Sequence, residues 1–498
     1  MKKYTFLFIL LHFNVFVFNQ IIPDFEPCIG SGGSSGLNNY RLLLATSADG
    51  THWTRTGMVL ADRASVADAL VLQNGRILIY YVAGCIQVNG NELASNHIKL
   101  AISDDKGISW YYKNVVFNNL PPQGTLPVDP NVVLLDNGNI NMLVTIDPDQ
   151  TGNMKPCTYS ALSTDGGFTF SLSNNAVFSI QNTDILDPEN FRFGNQDWKL
   201  WTGGIPGQNI LGVSVNEAIS FSDQGTFCAA VNTDIPNECY ITADVIKFDS
   251  NSYKMYAFGV SPTGKLIKSL SSPDGNTWTL DTNINLSVLN TSGYEYLDVW
   301  APAVAKINTD TFLMIYETNI PSIFSTSFNE IKILENDTAL NINDNLKIHA
   351  RTFYSDFTIR DVTFFGSWNS TQPTVANIDN WGNISAISPG TTYIYKTYNN
   401  INSDSLLISV LPSTPTKLIS KSFSIYPIPA DKYLIIHSEY LNEQFSINIY
   451  DMLGHLIIQS HSYLPKTVLN IDSLIEGLYI IQIFNNNYYF TSTFTKSK

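Results

Sequence analysis

The stretch VADALVLQNGRILIYYVAG, residues 66–84, decides the fold that we predict for this chain. It reads as a β-hairpin, with an apolar strand, a turn that holds Asn and Gly, and a second strand rich in aromatic and β-branched residues. Four related stretches follow, which begin at Val128, Leu186, Thr242 and Trp300. Self-similarity of this kind predicts a structure built from repeated β units.

A series of short turns alternates with these hairpins. Each turn carries Ser, then Asp two residues later, then Gly and an aromatic residue, as in Ser47-Ala-Asp49-Gly50-Thr-His-Trp53. A hairpin, a third strand, this turn and a fourth strand make one blade of a β-propeller. The turn aspartates recur every 51 to 60 residues and are Asp49, Asp105, Asp165, Asp223 and Asp274. We expect them to bond turn backbone, and so to be structural.

The two ends of the repeat complement each other. The stretch from Trp300 to Glu317 supplies only the first two strands of a blade, and the stretch from Tyr40 to Leu60 supplies only the last two. Joining them completes a fifth blade and removes the edge strands that an open sheet would expose. We therefore predict an all-β protein, with a five-bladed β-propeller at residues 30–325 followed by two small β-sandwich domains.

The first of these small domains is predicted at residues 331–411. It contains Trp368-Asn-Ser-Thr and Gly382-Asn-Ile-Ser, and its alternation of strands and turns is typical of a sandwich. These residues resemble the bacterial Ig-like group 2 domain. The resemblance implies a spacer or an adhesive module, of which we expect the spacer.

The second small domain is predicted at residues 421–498. Its motifs, in order, are Phe423-Ser-Ile-Tyr-Pro427-Ile-Pro429, Ile447-Asn-Ile-Tyr-Asp451 and Ile471-Asp472, followed by Gly477-Leu-Tyr479. They resemble the type IX secretion C-terminal sorting domain, although Ile428 stands where that family commonly has Asn. The resemblance implies export across both membranes, with the type IX secretion machinery as a partner.

Export is indicated at the other end as well. Residues 1–20 place Lys2 and Lys3 before an apolar run, which is typical of a secretory signal peptide. The run is shorter than the roughly 20 residues that a spanning helix needs. We expect a mature protein without a transmembrane segment, located outside the cell or on its surface.

The composition of the chain limits the kinds of molecule that it is expected to bind. The formal net charge of -15 repels nucleic-acid phosphates, so no nucleic acid is expected. The five cysteines are too few for disulfides to be the main source of the fold's stability. Of these, Cys228 and Cys239 could form a disulfide or stay as buried thiols. The histidines lack the spacing of a transition-metal site, and no cofactor is expected.

Acidic residues recur where the first strand of each blade begins, which is where ligands of propellers gather. Like charges that converge on one channel raise each other's pKa, so a proton donor can stand beside an ionised base. Glycoside hydrolysis needs such a pair of carboxyl groups. These residues are Asp68, Asp129, Asp187 with Glu189, Asp244 and Asp298. Capping of turns, or a structural Ca²⁺ held by the channel, would also account for them.

The hairpins resemble those of five-bladed arabinanases and xylosidases. The resemblance implies Asp68 as the base, Asp129 as the orienting residue and Glu189 as the acid. Asp187 matches the family's acid position better than Glu189, so both are candidates. We expect substrate contacts from Asp244, Asp298, Trp300 and Arg63, with Trp300 stacking on a sugar ring.

Two alternatives remain open beside a glycoside hydrolase acting on an extracellular polysaccharide or glycan. One is a noncatalytic propeller that binds glycans or proteins at the cell surface. The other is a sialidase-like enzyme, because the Asp-Gly turns resemble the Asp boxes of sialidases. A sialidase needs three arginines around the substrate carboxylate. The propeller's arginines follow no such motif, and they are Arg41, Arg55, Arg63, Arg76 and Arg192.

Overall fold

The computed structural model describes residues 22–32, 36–193, 197–289, 293–321, 327–412, 423–438, 444–452, 454–462, 464–484 and 489–497. The predicted signal peptide and most of the linker before residue 421 lie outside the described residues. Within these ranges the chain is almost entirely β-structure, with one short 3-10 helix at Gly36–Asn39. Among them, no helix is long and apolar enough to span a bilayer.

The described part of residues 26–319 forms a β-propeller of five blades, as predicted. Its strands are, in chain order, β1 (Glu26–Pro27), β2 (Tyr40–Ser47), β3 (Thr54–Asp62), β4 (Ala64–Val71), β5 (Ile77–Val88), β6 (Asn91–Ser103), β7 (Tyr111–Asn114), β8 (Val116–Asn118), β9 (Val128–Leu134), β10 (Ile140–Ile146), β11 (Cys157–Ser163), β12 (Thr169–Leu172), β13 (Leu186–Phe193), β14 (Asp197–Ile205), β15 (Gln208–Ser214), β16 (Ser222–Phe227), β17 (Ile241–Lys247), β18 (Tyr253–Ser261), β19 (Gly264–Ser272), β20 (Thr279–Ser287), β21 (Val299–Asn308) and β22 (Thr311–Asn319).

Blades one to four each contain four consecutive strands, which start at β4, β9, β13 and β17. Strand β1 is added to the sheet of blade one and β8 to that of blade two. Blade five combines β21 and β22 with β2 and β3. Strand β2 runs antiparallel to β22 along its whole length, from Tyr40 opposite Asn319 to Ser47 opposite Phe312. The ends of the repeat therefore close the ring as predicted. Apolar side chains fill the space between neighbouring blades, and Trp110, Trp198 and Trp201 are among the largest that are fully buried.

The Ser-Asp turns lie between the third and fourth strands of their blades. In the turn of blade five, Asp49 Oδ1 accepts the N–H groups of Thr51 and His52, both at 2.8 Å. Blade three corrects the predicted series, because Asp223 lies within β16 and not in this turn. There Asn216 takes the place of the aspartate, and its Oδ1 accepts the N–H of Ser220 at 3.2 Å. An amide oxygen accepts these bonds as a carboxylate does.

The next domain occupies residues 328–411. Its strands are β23 (Phe328–Ile333), β24 (Thr338–Asn341), β25 (Asn345–Lys347), β26 (Ala350–Tyr354), β27 (Ile359–Asp361), β28 (Ser367–Ser370), β29 (Ala376–Ile378), β30 (Asn383–Ala386), β31 (Gly390–Tyr398), β32 (Ile401–Asn402) and β33 (Leu406–Leu411). Strands β24, β33, β31 and β28 form one sheet, and β25, β30 and β29 form another. The two sheets make the predicted sandwich, around an apolar core that includes Ile348 and Trp368.

Three strands of this domain join the propeller instead. Strands β23, β26 and β27 extend blade five into a seven-stranded sheet, where β27 lies parallel to β3 with Ile359 beside Met58. Asp361 accepts the N–H of Trp110 from blade one at 2.7 Å. A spacer attached only by a linker would not share a sheet with the propeller, so this domain is packed firmly onto it.

The last domain is a second small sandwich. Its strands are β34 (Phe423–Tyr426), β35 (Tyr433–Ser438), β36 (Phe445–Tyr450), β37 (Leu456–Ser462), β38 (Lys466–Asn470), β39 (Gly477–Phe484) and β40 (Tyr489–Lys496). They form a sheet of β34, β35 and β38, and a sheet of β37, β36, β39 and β40.

The cysteines lie in the propeller. Disulfides join Cys28 to Cys85 and Cys228 to Cys239, while Cys157 is a buried free thiol.

Candidate functional site

Each inner strand of the propeller is irregular near its start. The pairing with the second strand shifts at this point in every blade, as a β-bulge does. In four blades a residue in the bulge has a positive φ, which is unusual for any residue with a side chain and is strained for a β-branched one. These residues and angles are Val66 at 42°, Asp129 at 53°, Asp187 at 49° and Ala301 at 44°.

One residue from each blade forms an inner ring. In four blades this residue lies two positions after the bulge residue, and in blade four it lies at the matching position. The five members of this inner ring are Asp68, Asn131, Glu189, Asp244 and Ala303. The acidic residues predicted as equivalent therefore occupy two layers, since Asp129 and Asp187 belong to the bulges and Asp68 does not. The position in blade one that corresponds to Asp129 and Asp187 is Val66.

The polar members of the inner ring link the blades. Each accepts the N–H of the residue that follows the ring member in the next blade. The bonds run from Val132 to Asp68 at 2.5 Å, from Asn190 to Asn131 at 2.9 Å, from Val245 to Glu189 at 3.0 Å, and from Val304 to Asp244. Ala303 has no polar side chain, so the series ends at blade five. These side chains thus hold the ring of blades together.

Asn131 also joins two carboxyl groups. Its Nδ2 lies 3.1 Å from Asp68 Oδ2 and 2.6 Å from Glu189 Oε2. The two carboxyl oxygens are therefore separated by no more than the sum of these two distances. That limit includes the roughly 5 to 5.5 Å between the carboxyl groups of retaining glycosidases. Asn131 is not among the residues predicted for the site, because the prediction considered acidic residues and the Asn131 side chain carries no charge.

The inner ring separates two cavities in the channel. One has a volume of about 260 Å³ and is lined by Asp68, Asp187, Glu189, Lys265 and Trp300. The other, of about 480 Å³, lies on the far side and is lined by Asp244 together with Asp68, Asn131 and Glu189. We call the first of these the upper cavity. It collects three of the four predicted catalytic residues.

Burial raises the pKa of the three carboxyl groups of the inner ring, Asp68, Glu189 and Asp244. The pKa of Asp68 rises to about 7, although the N–H groups of Val132 and Ala69 and the amide of Asn131 favour its ionised form. The pKa of Glu189 lies well above its usual range, because of burial and of the nearby Asp244 and Asp68. Burial and Asp68 together raise that of Asp244 in the same way.

Asp187 differs from the inner ring because its side chain is open to the upper cavity. The surrounding protein still withdraws it from bulk water, and this desolvation raises its pKa well above the usual range, with further contributions from Asp129 and Glu317. Asp129 accepts the N–H of Asp187 at 3.4 Å, and burial raises its pKa too. Asp187 therefore combines a raised pKa with contact with the upper cavity.

The mouth of the upper cavity combines an aromatic ring with a cation. Lys265 Nζ lies 4.3 Å from the centre of the Trp300 ring, and Tyr40 packs edge-on against the same ring at 5.1 Å. Lys265 was not singled out from the sequence. Trp300 is buried, with 8% of its surface exposed. The Lys265 ammonium group therefore covers this aromatic face at the cavity wall.

Two other predicted contacts lie elsewhere. Arg63 donates to Gly30 O at 3.0 Å and pairs with Glu92 at 2.9 Å, so it anchors the segment around Gly30. Asp298 lies before β21 and accepts the backbone N–H of Lys265 at 2.7 Å. Neither residue lines the upper cavity. Asp244 faces the second cavity instead.

Comparison with known proteins identifies one end of the chain. Residues 424–496 match the family described as the secretion system C-terminal sorting domain. This chain therefore carries a type IX sorting domain and is exported, to the cell surface or beyond it. No curated protein sequence matches the chain.

Solved structures that are similar to this chain include carbohydrate-active enzymes. A thermostable family-43 glycoside hydrolase is 12% identical, with a TM-score of 0.39 and coverage of 68% of this chain and 92% of that one. The catalytic domain of an α-L-arabinofuranosidase from Coprinopsis cinerea is 12% identical, with a TM-score of 0.36 and coverage of 56% and 97%. An endo-arabinase from Bacteroides thetaiotaomicron is 14% identical, with a TM-score of 0.37 and coverage of 52% and 94%. At this level the likeness assigns no activity to the chain.

Proposed function

We propose that this exported propeller is a glycoside hydrolase that cleaves an extracellular polysaccharide or oligosaccharide in the upper cavity. The observation that carries the proposal is the contrast between Asp68 and Asp187. Both line the same cavity, but three N–H groups bond the Asp68 carboxylate. In the described part of the chain no such donor opposes the raised pKa of Asp187. Two carboxyl groups whose surroundings push their protonation apart are what acid–base catalysis needs.

The roles follow from this contrast. Asp187 stays protonated and would donate its proton to the leaving glycosidic oxygen. Asp68 is the more readily ionised partner, and would activate water or attack the anomeric carbon. Glu189 is a second candidate for the proton donor, although both of its oxygens accept bonds that hold the blades together.

The sugar would lie against the mouth of the cavity. Trp300 offers an aromatic edge and Lys265 a cation for hydroxyl groups or a carboxylate. Lys265 is the cationic residue among those that line the cavity in the described part of the chain, and no arginine lines it. This composition does not support the sialidase-like alternative, which requires several arginines.

The test is hydrolysis of aryl glycosides and of intact polysaccharides by the chain from residue 21 onwards, without the predicted signal peptide. Asp68→Asn should lose activity on both kinds of substrate. Asp187→Asn should lose activity on polysaccharides but keep more of it on aryl glycosides, whose leaving group needs less protonation. Asp197→Asn is the matched control, because Asp197 is exposed on the same blade as Asp187. This variant should hydrolyse both kinds of substrate at the rate of the wild type.

A noncatalytic glycan-binding propeller is the second candidate. The observation in its favour is that the oxygens of Asp68 and Glu189 all accept bonds that the fold itself uses. No turnover on any substrate, together with retention on a glycan array that Trp300→Ala abolishes, would favour binding over hydrolysis.

A further inference from the structure

Lys265 is the second residue of β19 in blade four, and its backbone is fixed against the segment that precedes β21. Its N–H donates to the Asp298 carboxyl group at 2.7 Å. The preceding Gly264 has a φ of 115°, and a Cβ atom there would collide with the carbonyl oxygen of Leu297. Only glycine fits so close an approach of two backbone segments. The point from which the Lys265 side chain extends is therefore fixed.

The Lys265 side chain ends at the wall of the upper cavity, beside two aromatic rings. Its Nζ lies 4.3 Å from the centre of the Trp300 ring and 5.9 Å from that of the Phe258 ring. All three residues line the cavity. Because the ammonium group occupies the face of Trp300, a sugar ring would have to displace it in order to stack there. What this wall offers to a ligand is the positive charge of Lys265 and its N–H groups.

Lys265 forms no salt bridge with any residue that the structure describes. Other cationic side chains of the propeller do have a carboxylate partner, as Lys254 has in Asp281 at 2.8 Å and Arg63 has in Glu92 at 2.9 Å. The Lys265 side chain is partly buried, and withdrawing an unpaired charge from water costs free energy. An anionic group bound in the upper cavity would offset this cost as the missing counter-ion.

The carboxyl groups that line the same cavity oppose an anion less than their number suggests. They are Asp68, Asp187 and Glu189. Burial raises the pKa of Asp68 to about 7 and that of the other two well above the usual range, which favours their neutral forms in weakly acidic solution. At pH 6 an anionic ligand therefore meets one ammonium group and few negative charges. Above about pH 7 the ionised Asp68 adds repulsion, so binding of an anion should weaken.

We propose that Lys265 gives the upper cavity a preference for acidic sugars, whose carboxylate or sulfate group pairs with its ammonium group. This inference rests on the proposed function, because it names the class of sugar that the same site takes. The substrate is then an acidic oligosaccharide or polysaccharide, such as one that contains uronic acids, and not a neutral chain of pentoses or hexoses. Lys265 determines specificity through a charge-assisted hydrogen bond to the substrate.

The test is calorimetric measurement of binding at pH 6 to the chain from residue 21 onwards. The acidic probes are oligosaccharides of galacturonic, glucuronic and mannuronic acid, and a sulfated galactan oligosaccharide. Their neutral counterparts are the methyl esters of the three uronates and the desulfated galactan. At least one acidic probe should bind about tenfold more tightly than its neutral counterpart, which lacks the charged group. The uronates and the sulfated probe distinguish the two kinds of anionic group.

Variants of the chain show whether Lys265 causes the preference. In Lys265→Met the Kd of the acidic probe should rise about tenfold, while that of its neutral counterpart stays within about twofold. Lys265→Arg keeps a cation and should keep the preference. Lys306→Met is the matched control, because Lys306 Nζ also lies beside two rings, 5.5 Å from that of Phe248 and 5.5 Å from that of Phe312. Lys306 lines the second cavity and donates to Phe248 O, so this variant should bind every probe as the wild type does.

Equal binding of acidic and neutral probes by the wild type would overturn the proposal, as would a lack of binding to every acidic probe. An unchanged preference in folded Lys265→Met would overturn it as well. Should Lys265→Met fail to fold, the comparison of probes on the wild type still decides. A preference for acidic probes without turnover of any substrate would refute the proposed hydrolysis and support this inference. Hydrolysis confined to neutral substrates would do the reverse.

Discussion

Arg360 of the second domain forms a buried ion pair with Asp62 of the propeller, with Nη2 2.6 Å from Oδ2. Asp62 also binds Arg41 of its own blade, with Oδ1 2.7 Å from Nε. The side chain of Asp62 has no exposed surface, and the two guanidinium groups hold its pKa below the usual range despite burial. The carboxylate in the last strand of blade five thus depends on a cation from another domain.

Replacing Arg360 should destabilise the chain strongly. In Arg360→Met, Asp62 stays buried with one of its two arginines, and breaking a buried pair in this way costs about 3 to 5 kcal/mol. Thermal or urea unfolding measures the loss. Lys332→Met is the control, because the pair of Lys332 with Glu330 is about half exposed on both sides. Its loss should be at most about 1 kcal/mol. Equal effects in the two variants would contradict the role given to Arg360.

Stability should fall at alkaline pH through His349. This side chain bridges the domains, with Nε2 3.1 Å from Asp105 of blade one and Nδ1 2.6 Å from Glu335. The two carboxylates raise the pKa of His349 from 6.5 to about 9, although burial opposes them. A folded-state pKa above the unfolded one means that this contribution is complete below about pH 6.5 and is lost as the pH rises through about 9.

Unfolding free energies measured between pH 6 and pH 10 test this window. The wild type should lose stability relative to His349→Gln over that range, since glutamine keeps polar contacts but does not titrate there. Two parallel curves would show that the charge of His349 does not stabilise the contact between the domains.

Hydrolysis should require the ionised form of Asp68. Its pKa of about 7 predicts that kcat/KM rises as the pH increases through about 7. Asn131→Asp places another carboxyl group within hydrogen-bond distance of Asp68, so this rise should move to higher pH. The pH profile of kcat/KM on one aryl glycoside measures both effects. A profile that is flat between pH 5 and pH 8 would exclude Asp68 as the group that must ionise.

Thiol labelling should find one reactive group, and only after unfolding. Cys28 pairs with Cys85 and Cys228 with Cys239, while Cys157 is free and 3% exposed. Mass spectrometry of the mature chain treated with an alkylating agent should show no label under native conditions and one label in denaturant. Labelling of the native chain would place Cys157 at the surface. More than one label in unreduced denatured chain would mean that a disulfide is missing.

The sequence carries the blade pattern because each blade buries the same two faces. The hairpin at residues 66–84 and its relatives show this pattern directly, and the incomplete units at the two ends allow the closure of blade five to be predicted. The turn of blade three escapes the pattern, since Asn216 replaces the aspartate and Ala218 takes the positive φ of 61° that glycine usually supplies. A nearby Ser-Asp-Gln-Gly sequence that resembles the motif lies in a strand instead.

The two layers of residues in the candidate site are harder to predict from the sequence. Blades two and three share Asp-Pro at the bulge, but blade one has Val66 and Ala67 there. Counting acidic residues along the chain therefore equates Asp68 with Asp129. The strand register instead places Asp68 at the position of Asn131, two residues beyond the bulge residue Asp129. Glu317, which accepts the N–H of Val66 at 3.0 Å, leaves no signal, because it lies on a second strand and meets Val66 only when the ring closes. The contact of Arg360 with Asp62 likewise joins residues that are far apart in sequence.

The closure of blade five also sets the order in which the propeller can be completed. Strand β2 is among the first to be synthesised, yet its partner β22 ends at Asn319. Until that strand is available, the growing chain is an open row of blades with unpaired edges, and contacts between such distant segments form slowly. The pairing of β2 with β22 is therefore a late step of folding. An exported chain would remain without its closed ring until this pairing forms.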